Sequence, residues 1–453
     1  MKKTLLTVAT SLATLVAAAQ PAATDTVPAI ALSEVEVLGT RATQGTPVAF
    51  TNITAKQLAA DNHGLDIPFL LSMTPSVITT SDAGAGVGYT SMRVRGTDAT
   101  RVNITVNDIP MNDAESHSIY WVNTPDFASS VRDIQVQRGV GTSTNGSGAF
   151  GGSVNMRSQT SSVVPYAEIS GSYGSFNTNK ETLRVGSGML GDHWAIEARL
   201  SHIGSDGYRD RASSELVSYF GQVGYFGDKT SLRFITFGGK EDTYHAWDGI
   251  SRDDLKNNRT YNPNGEIKHD GKVTGFYDDQ KDIYRQTHYQ LIWNQTFTPE
   301  WKLNVALHYT DGYGYYQEYK NARTLKEYLL EPVVTAEGTA KKASLVRKKC
   351  VDSGFGGGVF SLQYSGDRLS ATLGGGINRY SNDHYGQFIW VENYTSQLAP
   401  DHEYYRNNGR KTDFNIYVKG NYMITSSLSA YADLQFRHIG YRITGNNDKW
   451  DWT

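Results

Sequence analysis

Two parts of this 453-residue chain gather side chains that could hold a small ligand. The first is a loop at residues 112–121, where Asp113, Glu115, His117 and Tyr120 are interleaved with Ala114, Ser116, Ser118 and Ile119. Carboxylates and imidazoles of this kind ligate metal ions, but from helical i, i+4 or closely paired positions that this loop lacks, so no metal site is expected. Asp113, His117 and Tyr120 are instead candidate contacts to a bound molecule. The second set comes from two distant stretches, Tyr244-His245-Ala246-Trp247-Asp248 and Tyr313-Gly314-Tyr315-Tyr316. Rings with apolar faces and polar tips suit a flat or chelated ligand, which adds Tyr244, Trp247 and Tyr315 to the candidates. Gly86 and Gly88 complete the set. A loop carrying Gly84, Gly86 and Gly88 within residues 81–89 becomes rigid only through contacts from outside it.

Catalysis finds no such support. Serine, histidine and aspartate are plentiful, yet there is no nucleophile elbow, no His-Glu-x-x-His and no phosphate loop ending in Gly-Lys-Ser or Gly-Lys-Thr. The glycines around Gly148 follow a strand but lack the βαβ setting of a dinucleotide site. Cys350 is the single cysteine, so neither an intrachain disulfide nor a cysteine metal cluster is available. No catalytic residue and no cofactor is expected, and the chain is not read as an enzyme. The formal net charge of -3 gives no general attraction to nucleic acid. A mean hydropathy of -0.46 excludes a bundle of membrane helices, although membrane β-barrels hide their apolar band in alternation and look polar on average.

The elements that must position these residues fall into parts. Lys2 and Lys3 precede an apolar run over residues 5–19 with Ala17 and Ala19 at its end, the layout of a cleaved secretory signal peptide. Residues 1–19 are therefore expected to direct export. Residues 20–45 read as a flexible leader with too little apolar surface to fold alone. Within it, Leu32, Ser33, Glu34, Val35, Glu36 and Val37 form a short extended run that could pair with the sheet edge of a partner, or equally start the sheet that follows.

Residues 46–160 read as a compact α+β domain. Thr54 caps a short helix over residues 54–60, and a second over residues 66–73 packs Ile67, Phe69, Leu70 and Met73. Met92, Val94, Val102, Ile104, Val106, Ile134 and Val136 alternate along short strands, and glycines punctuate the exit. From residue 161 the texture changes to segments in which apolar and polar side chains alternate. Trp194, Ile196, Ala198 and Leu200 interleave with Glu197, Arg199 and Ser201, and Trp301, Leu303, Val305 and Leu307 with Lys302, Asn304 and His308. Short connections at residues 227–229, 298–300 and 366–367 contrast with long ones around residues 240–281, 312–347 and 382–411. Tyr225, Trp293, Phe297, Trp301 and Tyr422 gather near strand ends, as an interface girdle requires. The pattern predicts a transmembrane antiparallel β-barrel.

The runs MRVRGTDATRVNITVNDIPMN, from Met92, and VRDIQVQRGVGTSTNGSGAFGGSVNM, from Val131, resemble the plug domain of TonB-dependent outer-membrane receptors. The Arg-Gly pair after the first strand, the Asn-Asp-Ile-Pro turn and the Gly-Gly-Ser-Val-Asn exit match in order and spacing. The resemblance implies a transmembrane antiparallel β-barrel in the cell outer membrane with an N-terminal α+β plug inside it. It also implies active import of a scarce ligand into the periplasm, driven by a TonB-type energy-coupling protein that takes residues 32–37 as its TonB box. Apical plug loops and long barrel loops should converge on one outward cavity, and Arg93, Arg95 and Arg138 of the plug should pair with inward carboxylates such as Glu197. A ferric siderophore or related metal chelate is the expected ligand, because no carboxypeptidase-like domain of the kind typical of the family's glycan importers precedes Leu32. Cobalamin or a glycan is the alternative, and a porin- or adhesin-like barrel a further one. The chain departs from the family at Gln135, where glutamate is usual, and at Val140, where proline is common. About eleven strands are expected after residue 161, against about 22 in plugged transporters, so the sequence is expected to be the N-terminal part of a receptor with its barrel truncated.

Overall fold

The computed structural model describes residues 39–43, 45–145, 148–336, 338–394 and 402–448. Thr54 ends β1 (Ala49–Thr54) and caps α1 (Ala55–Asp61). Its hydroxyl accepts from the Gln57 N–H at 3.4 Å while its own N–H donates to Gln57 Oε1 at 2.9 Å, a reciprocal capping box. The next helix, α2 (Ile67–Leu70), is shorter than expected. The chain reverses where the Thr74 N–H donates to the Leu71 carbonyl, with Pro75 following, so Leu71 enters the core and Met73 is left 92% exposed.

β2 (Val77–Ser81) and β3 (Thr90–Val94) form a hairpin. β4 (Val102–Val106), β5 (Ile109–Pro110), β6 (Val131–Arg138) and β7 (Gly152–Ser158) join β1 in a sheet of order β1-β6-β7-β4-β5, with β4 and β7 parallel. Met92, Val94, Val102, Ile104, Val106, Ile134 and Val136 are buried, as their alternation predicts. Gly152 lets β6 and β7 approach: a Cβ there would stand 2.5 Å from the Gln137 carbonyl oxygen.

The remaining long strands form one antiparallel meander. It begins with β8 (Pro165–Tyr173), β9 (Asn179–Ser187), β10 (Trp194–Ser205), β11 (Ser214–Phe226) and β12 (Thr230–Tyr244). A loop carrying α3 (Arg252–Asn257) and the hairpin β13 (Glu266–His269) and β14 (Lys272–Phe276) leads to β15 (Lys281–Thr296) and β16 (Trp301–Thr324). After the small hairpin β17 (Val333–Thr335) and β18 (Gly338–Ala340) come β19 (Lys342–Ser365), β20 (Leu369–Val391), β21 (Glu403–Met423) and β22 (Ser429–Gly445). The sheet has 11 strands, with β8 and β22 at its two edges.

This sheet is inside-out relative to a soluble one. On β10 the outward Trp194, Ile196 and Leu200 are 50%, 47% and 59% exposed, whereas the inward Glu197, Arg199 and Ser201 are 4%, 3% and 5% exposed. The polar face packs on the plug, and the apolar face is built for hydrocarbon. Near the short-turn end Trp194 meets Tyr225 edge-on at 5.3 Å, and Trp301 lies tilted against Tyr364 at 5.0 Å, as in a girdle. One hydrophobic core crosses from plug to wall: Trp121, Phe127 and Ile134 pack with Phe220, Ile235, Phe237 and Ile292, and the rings of Phe127 and Phe237 are 4.6 Å apart.

Short and long connections fall at opposite ends, but the long ones are shorter than predicted because strands run through them. β16, β19, β20 and β21 are 24, 24, 23 and 21 residues long. Their upper ends carry polar and aromatic residues on both faces, which erases the alternation signal. There they fold over a small core of their own, with Leu325, Tyr328, Leu345, Phe388 and Tyr404.

Candidate functional site

The plug loop at residues 112–120 is folded on its own aspartate and fastened to the wall. Asp113 Oδ1 accepts from the N–H groups of Glu115 at 3.1 Å and Ser116 at 2.7 Å. Glu115 accepts from His384 Nε2 at 2.7 Å and Asn382 Nδ2 at 3.2 Å on β20, and from the Tyr441 hydroxyl at 2.9 Å on β22. Lys411 of β21 donates to the Ala114 carbonyl at 2.6 Å. Burial opposes ionisation of Glu115, yet the hydrogen bond and charge of His384, with Tyr441 and Asn382, hold its carboxyl down at about 2.

Beside this loop a cavity of about 350 Å³ separates the plug from β19–β22. Asp113, His117 and Arg101 of the plug face Lys411, Asp413 and Arg437 of the wall across it. Burial and the Lys411 ammonium push the His117 imidazole below its usual value, favouring its neutral form. Tyr120 joins Asp113 in a smaller neighbouring cavity of about 60 Å³. The arrangement can bind a polar, charged ligand through opposed ion pairs. Among the described residues no three His, Cys, Asp or Glu side chains are placed to hold a metal.

A second cluster is aromatic. The His245 ring stacks on Trp247 at 4.0 Å, and Tyr89 and Tyr316 each meet Trp247 edge-on at 5.7 Å. His245 is buried, with both ring nitrogens lacking a hydrogen-bond partner, and burial pushes its pKa down to about 4. Trp247 is 38% exposed and reachable. The other candidates lie elsewhere. Tyr244 is buried, and its hydroxyl donates to the Tyr277 carbonyl at 2.9 Å, pinning the loop after β12. Gly86 packs on Leu65 and Phe69, and Gly88 on Ser214; both have φ near +80° (74° and 84°), so they shape the turn. Tyr315 shares the outer face of Leu307, Tyr309 and Tyr313, where the Lys348 ammonium lies 4.0 Å over its ring. Its neighbour Tyr316 is the inward residue.

The plug is tied to the wall with the opposite charge arrangement to that expected. Asp126, wholly buried and left-handed at φ 50°, accepts from Lys180 Nζ of β9 at 2.6 Å and Arg199 of β10 at 3.1 Å, and from the hydroxyls of Ser129 and Ser201. Burial opposes its charge, but Arg199 and Lys180 hold its carboxyl below the usual range. So a plug carboxylate meets barrel cations. Arg93 and Arg95 are exposed, Arg138 donates to Thr51 within the plug, and Glu197 accepts from the Ser162 N–H at 2.6 Å. The distant residues that matter, Tyr380, Asn382 and His384, follow an i, i+2 alternation in the sequence that marks one face of a strand, though not which plug loop it meets.

Residues 42–153 match the family described as TonB-dependent Receptor Plug Domain. Solved receptors share the whole arrangement of plug and wall. The open form of the ferric-catecholate import receptor Fiu from E. coli K12 superposes with a TM-score of 0.63 at 18% identity, over 87% of this chain and 60% of that one. The unliganded ferric citrate transporter FecA gives 0.64 at 14% identity, over 88% and 57%. The ferric yersiniabactin uptake receptor FyuA from Yersinia pestis gives 0.61 at 12%, over 89% and 58%. Residues 42–153 therefore carry the plug domain of TonB-dependent receptors, and the chain has the fold of these solved receptors. It spans 54% to 60% of the length of the first solved receptors it matches. No curated protein matches the sequence.

The TonB-box candidates Leu32, Ser33, Glu34, Val35, Glu36 and Val37 lie outside the described residues, as does the signal-peptide segment. The chain that follows them is clamped into the plug. Asp108 accepts from the Gly39 N–H at 2.7 Å and the Thr40 hydroxyl at 2.5 Å, and Lys419 of β21 donates to the Gly39 carbonyl at 2.6 Å. Gln135 accepts from the Ala42 N–H at 2.8 Å and donates to its carbonyl at 3.1 Å, while Gln137 donates to the Thr40 carbonyl at 2.9 Å. The amide at position 135 does what a glutamate could not, serving the segment as donor and acceptor together.

Proposed function

We propose that this protein is an outer-membrane TonB-dependent importer that binds a ferric siderophore or related metal chelate on its long-loop side and passes it to the periplasm. The observation that carries the reading is the polarity of the plug. One face is fastened to the wall by buried charges and a shared core, and its apical loop borders a cavity lined with paired charges, near an aromatic cluster. The solved receptors with this fold include importers of ferric catecholate, ferric citrate and ferric yersiniabactin, which favours a chelate among possible ligands. Asp113, His117 and Tyr120 contact the ligand from the plug, and Trp247 from the loop after β12. Gly86, Gly88 and Tyr244 support that surface from behind. Residues 32–37 are the segment a TonB-type protein grips, and pulling there loads the clamp of Asp108, Gln135 and Gln137 directly.

The test is growth of the intact host against a strain lacking the gene, on a panel of ferric chelates, cobalamin and oligosaccharides as limiting nutrients. The reading expects a defect on at least one ferric chelate and none on oligosaccharides. Gene-dependent growth on cobalamin or oligosaccharides alone reassigns the substrate, and no gene dependence on any of them removes the importer reading.

A further inference from the structure

Three carboxylates gather where the plug touches the middle of the wall, without a cation among them. β15 is the central strand of the sheet and β12 its neighbour, so the place is far from either edge. There Asp282 lies directly opposite Thr243, and Tyr284 directly opposite Glu241, on the inward face. The plug brings Asp66, whose Oδ2 accepts from the Thr90 hydroxyl at 2.8 Å, and Tyr89, whose hydroxyl donates to Asp282. The two surfaces are in contact: a Cβ on Gly88 would stand 2.6 Å from the Ser214 hydroxyl of β11 and 3.9 Å from the Thr243 methyl. Asp66, Glu241 and Asp282 are 5%, 1% and 9% exposed, and Glu241 Oε2 is enclosed without a hydrogen-bond partner.

Among the described residues no lysine, arginine or histidine forms an ion pair with any of the three. Lys281 pairs with Asp242 at 3.1 Å, and Arg209 donates to the carbonyls of Asp82 and Asp248. The other titratable groups facing the cluster are Tyr284, Tyr316 of β16, Tyr120 of the plug, and His245 two residues beyond Thr243. None is a cation at neutral pH, since three are phenols and burial keeps His245 uncharged. Carboxylates buried together without a counter-ion cannot all ionise, so the cluster keeps protons. Burial pushes the Asp66 carboxyl up to about 7 against the pull of the Thr90 hydroxyl, and burial with the charges of Asp282 and Asp66 pushes Glu241 up as well. Asp282 is also raised by burial, which its bond from Tyr89 offsets in part. All this lies beyond the lipid-facing band, whose exposed Leu232, Phe234 and Leu291 give way to Lys240 opposite Arg285.

We infer that Asp66, Glu241 and Asp282 form a proton-operated latch that holds the plug loop at residues 82–90 against β12 and β15. With protons bound, Asp66 and Tyr89 of the plug rest on Glu241 and Asp282 of the wall without repulsion. As protons leave, like charges face each other at short range in a place shielded from water. A released loop exposes these acids to solvent, where carboxyls ionise near an ordinary value of about 4. The docked loop therefore holds more protons than the released one from about pH 4 upward. Docking is strongest at the acid end of that window and weakens as pH rises through about 7, where Asp66 gives up its proton. The Tyr89 ring also meets Trp247 edge-on at 5.7 Å, so release of the loop opens the aromatic cluster too. The inference rests on the fold of plug and wall, and not on the import function.

The complete receptor is purified in non-ionic detergent, and amide hydrogen exchange is followed by mass spectrometry between about pH 5 and 8, as protection factors corrected for intrinsic rates. Protection over residues 82–90 is expected to fall as pH rises, on the order of tenfold per pH unit for each extra proton the docked loop holds. Residues 131–138 of β6 are expected to keep theirs. The combined variant Asp66→Asn, Glu241→Gln and Asp282→Asn keeps the shapes and removes the titration, so its protection over residues 82–90 is expected not to vary with pH. Protection independent of pH in the unmodified receptor, a pH dependence that survives in the triple variant, or an equal loss over residues 131–138 overturns the inference. If the triple variant gives no heat-modifiable band, Asp66→Asn alone carries the test, with a shallower pH dependence expected and an unchanged one contradictory.

Discussion

Asp126 shows how far a single buried charge governs this molecule. It has two cationic partners, Lys180 and Arg199, at 6% and 3% side-chain exposure, and removing it leaves both buried without their counter-ion. Asp126→Ala is expected to cost about 3–5 kcal/mol of stability, read as a lower unfolding midpoint in detergent. An unchanged midpoint would show that the tie is dispensable. The sequence reading placed the tying arginines on the plug, at Arg93, Arg95 and Arg138, whereas the arginine that meets Asp126, Arg199, is on the wall. Arg199 alternates visibly with apolar neighbours, whereas Asp126 sits in a short irregular turn with no period to mark it. Glu115 gives a pH prediction. Its carboxyl is depressed from an ordinary 4.5 to about 2, so its tether contributes fully above pH 4.5 and is lost as pH falls toward 2. Infrared difference titration against Glu115→Gln should place this carboxyl near 2, and a midpoint near 4.5 would contradict the tether.

At the scale of elements, register decides which residues can meet a ligand. Continuous pairing of β16 with β15 from Asp282 to Thr296 fixes its parity, and so puts Tyr316 inward and Tyr315 outward. Four consecutive residues of the Tyr-Gly-Tyr-Tyr type carry no apolar alternation, so the sequence could name the stretch but not the face. Strand ends were hidden in the same way in the upper halves of β19, β20 and β21. The capping box of α1, the alternating core of β4 and β6 and the wall strands were legible, because each rests on local chemistry or a simple period. Trp247 connects this scale to binding. It is part-exposed beside Tyr89 and Tyr316. Trp247→Ala should weaken ligand affinity roughly thirtyfold, on the order of 2 kcal/mol for a lost aromatic anchor, with the amount inserted in the membrane unchanged. Normal affinity with reduced insertion would assign Trp247 to folding instead.

The whole molecule is a plug held against an inverted sheet, and both parts were legible: the plug from ordered glycine and turn motifs, the wall from alternation with asymmetric connections. Their mutual docking was not, because every contact between them joins residues far apart in the chain, such as Asp126 with Arg199 and Glu115 with His384. The two ends of the plug have different work under the importer account. Ligand contacts gather at the apical loop and coupling begins ahead of Gly39, where Asp108, Gln135, Gln137 and Lys419 hold the chain. Deleting residues 32–37 from the complete receptor, and measuring surface binding and uptake of the same ferric chelate in the same cells, tests this division most directly. The account predicts binding at the unmodified level with uptake abolished; uptake equal to that of the unmodified receptor would contradict it.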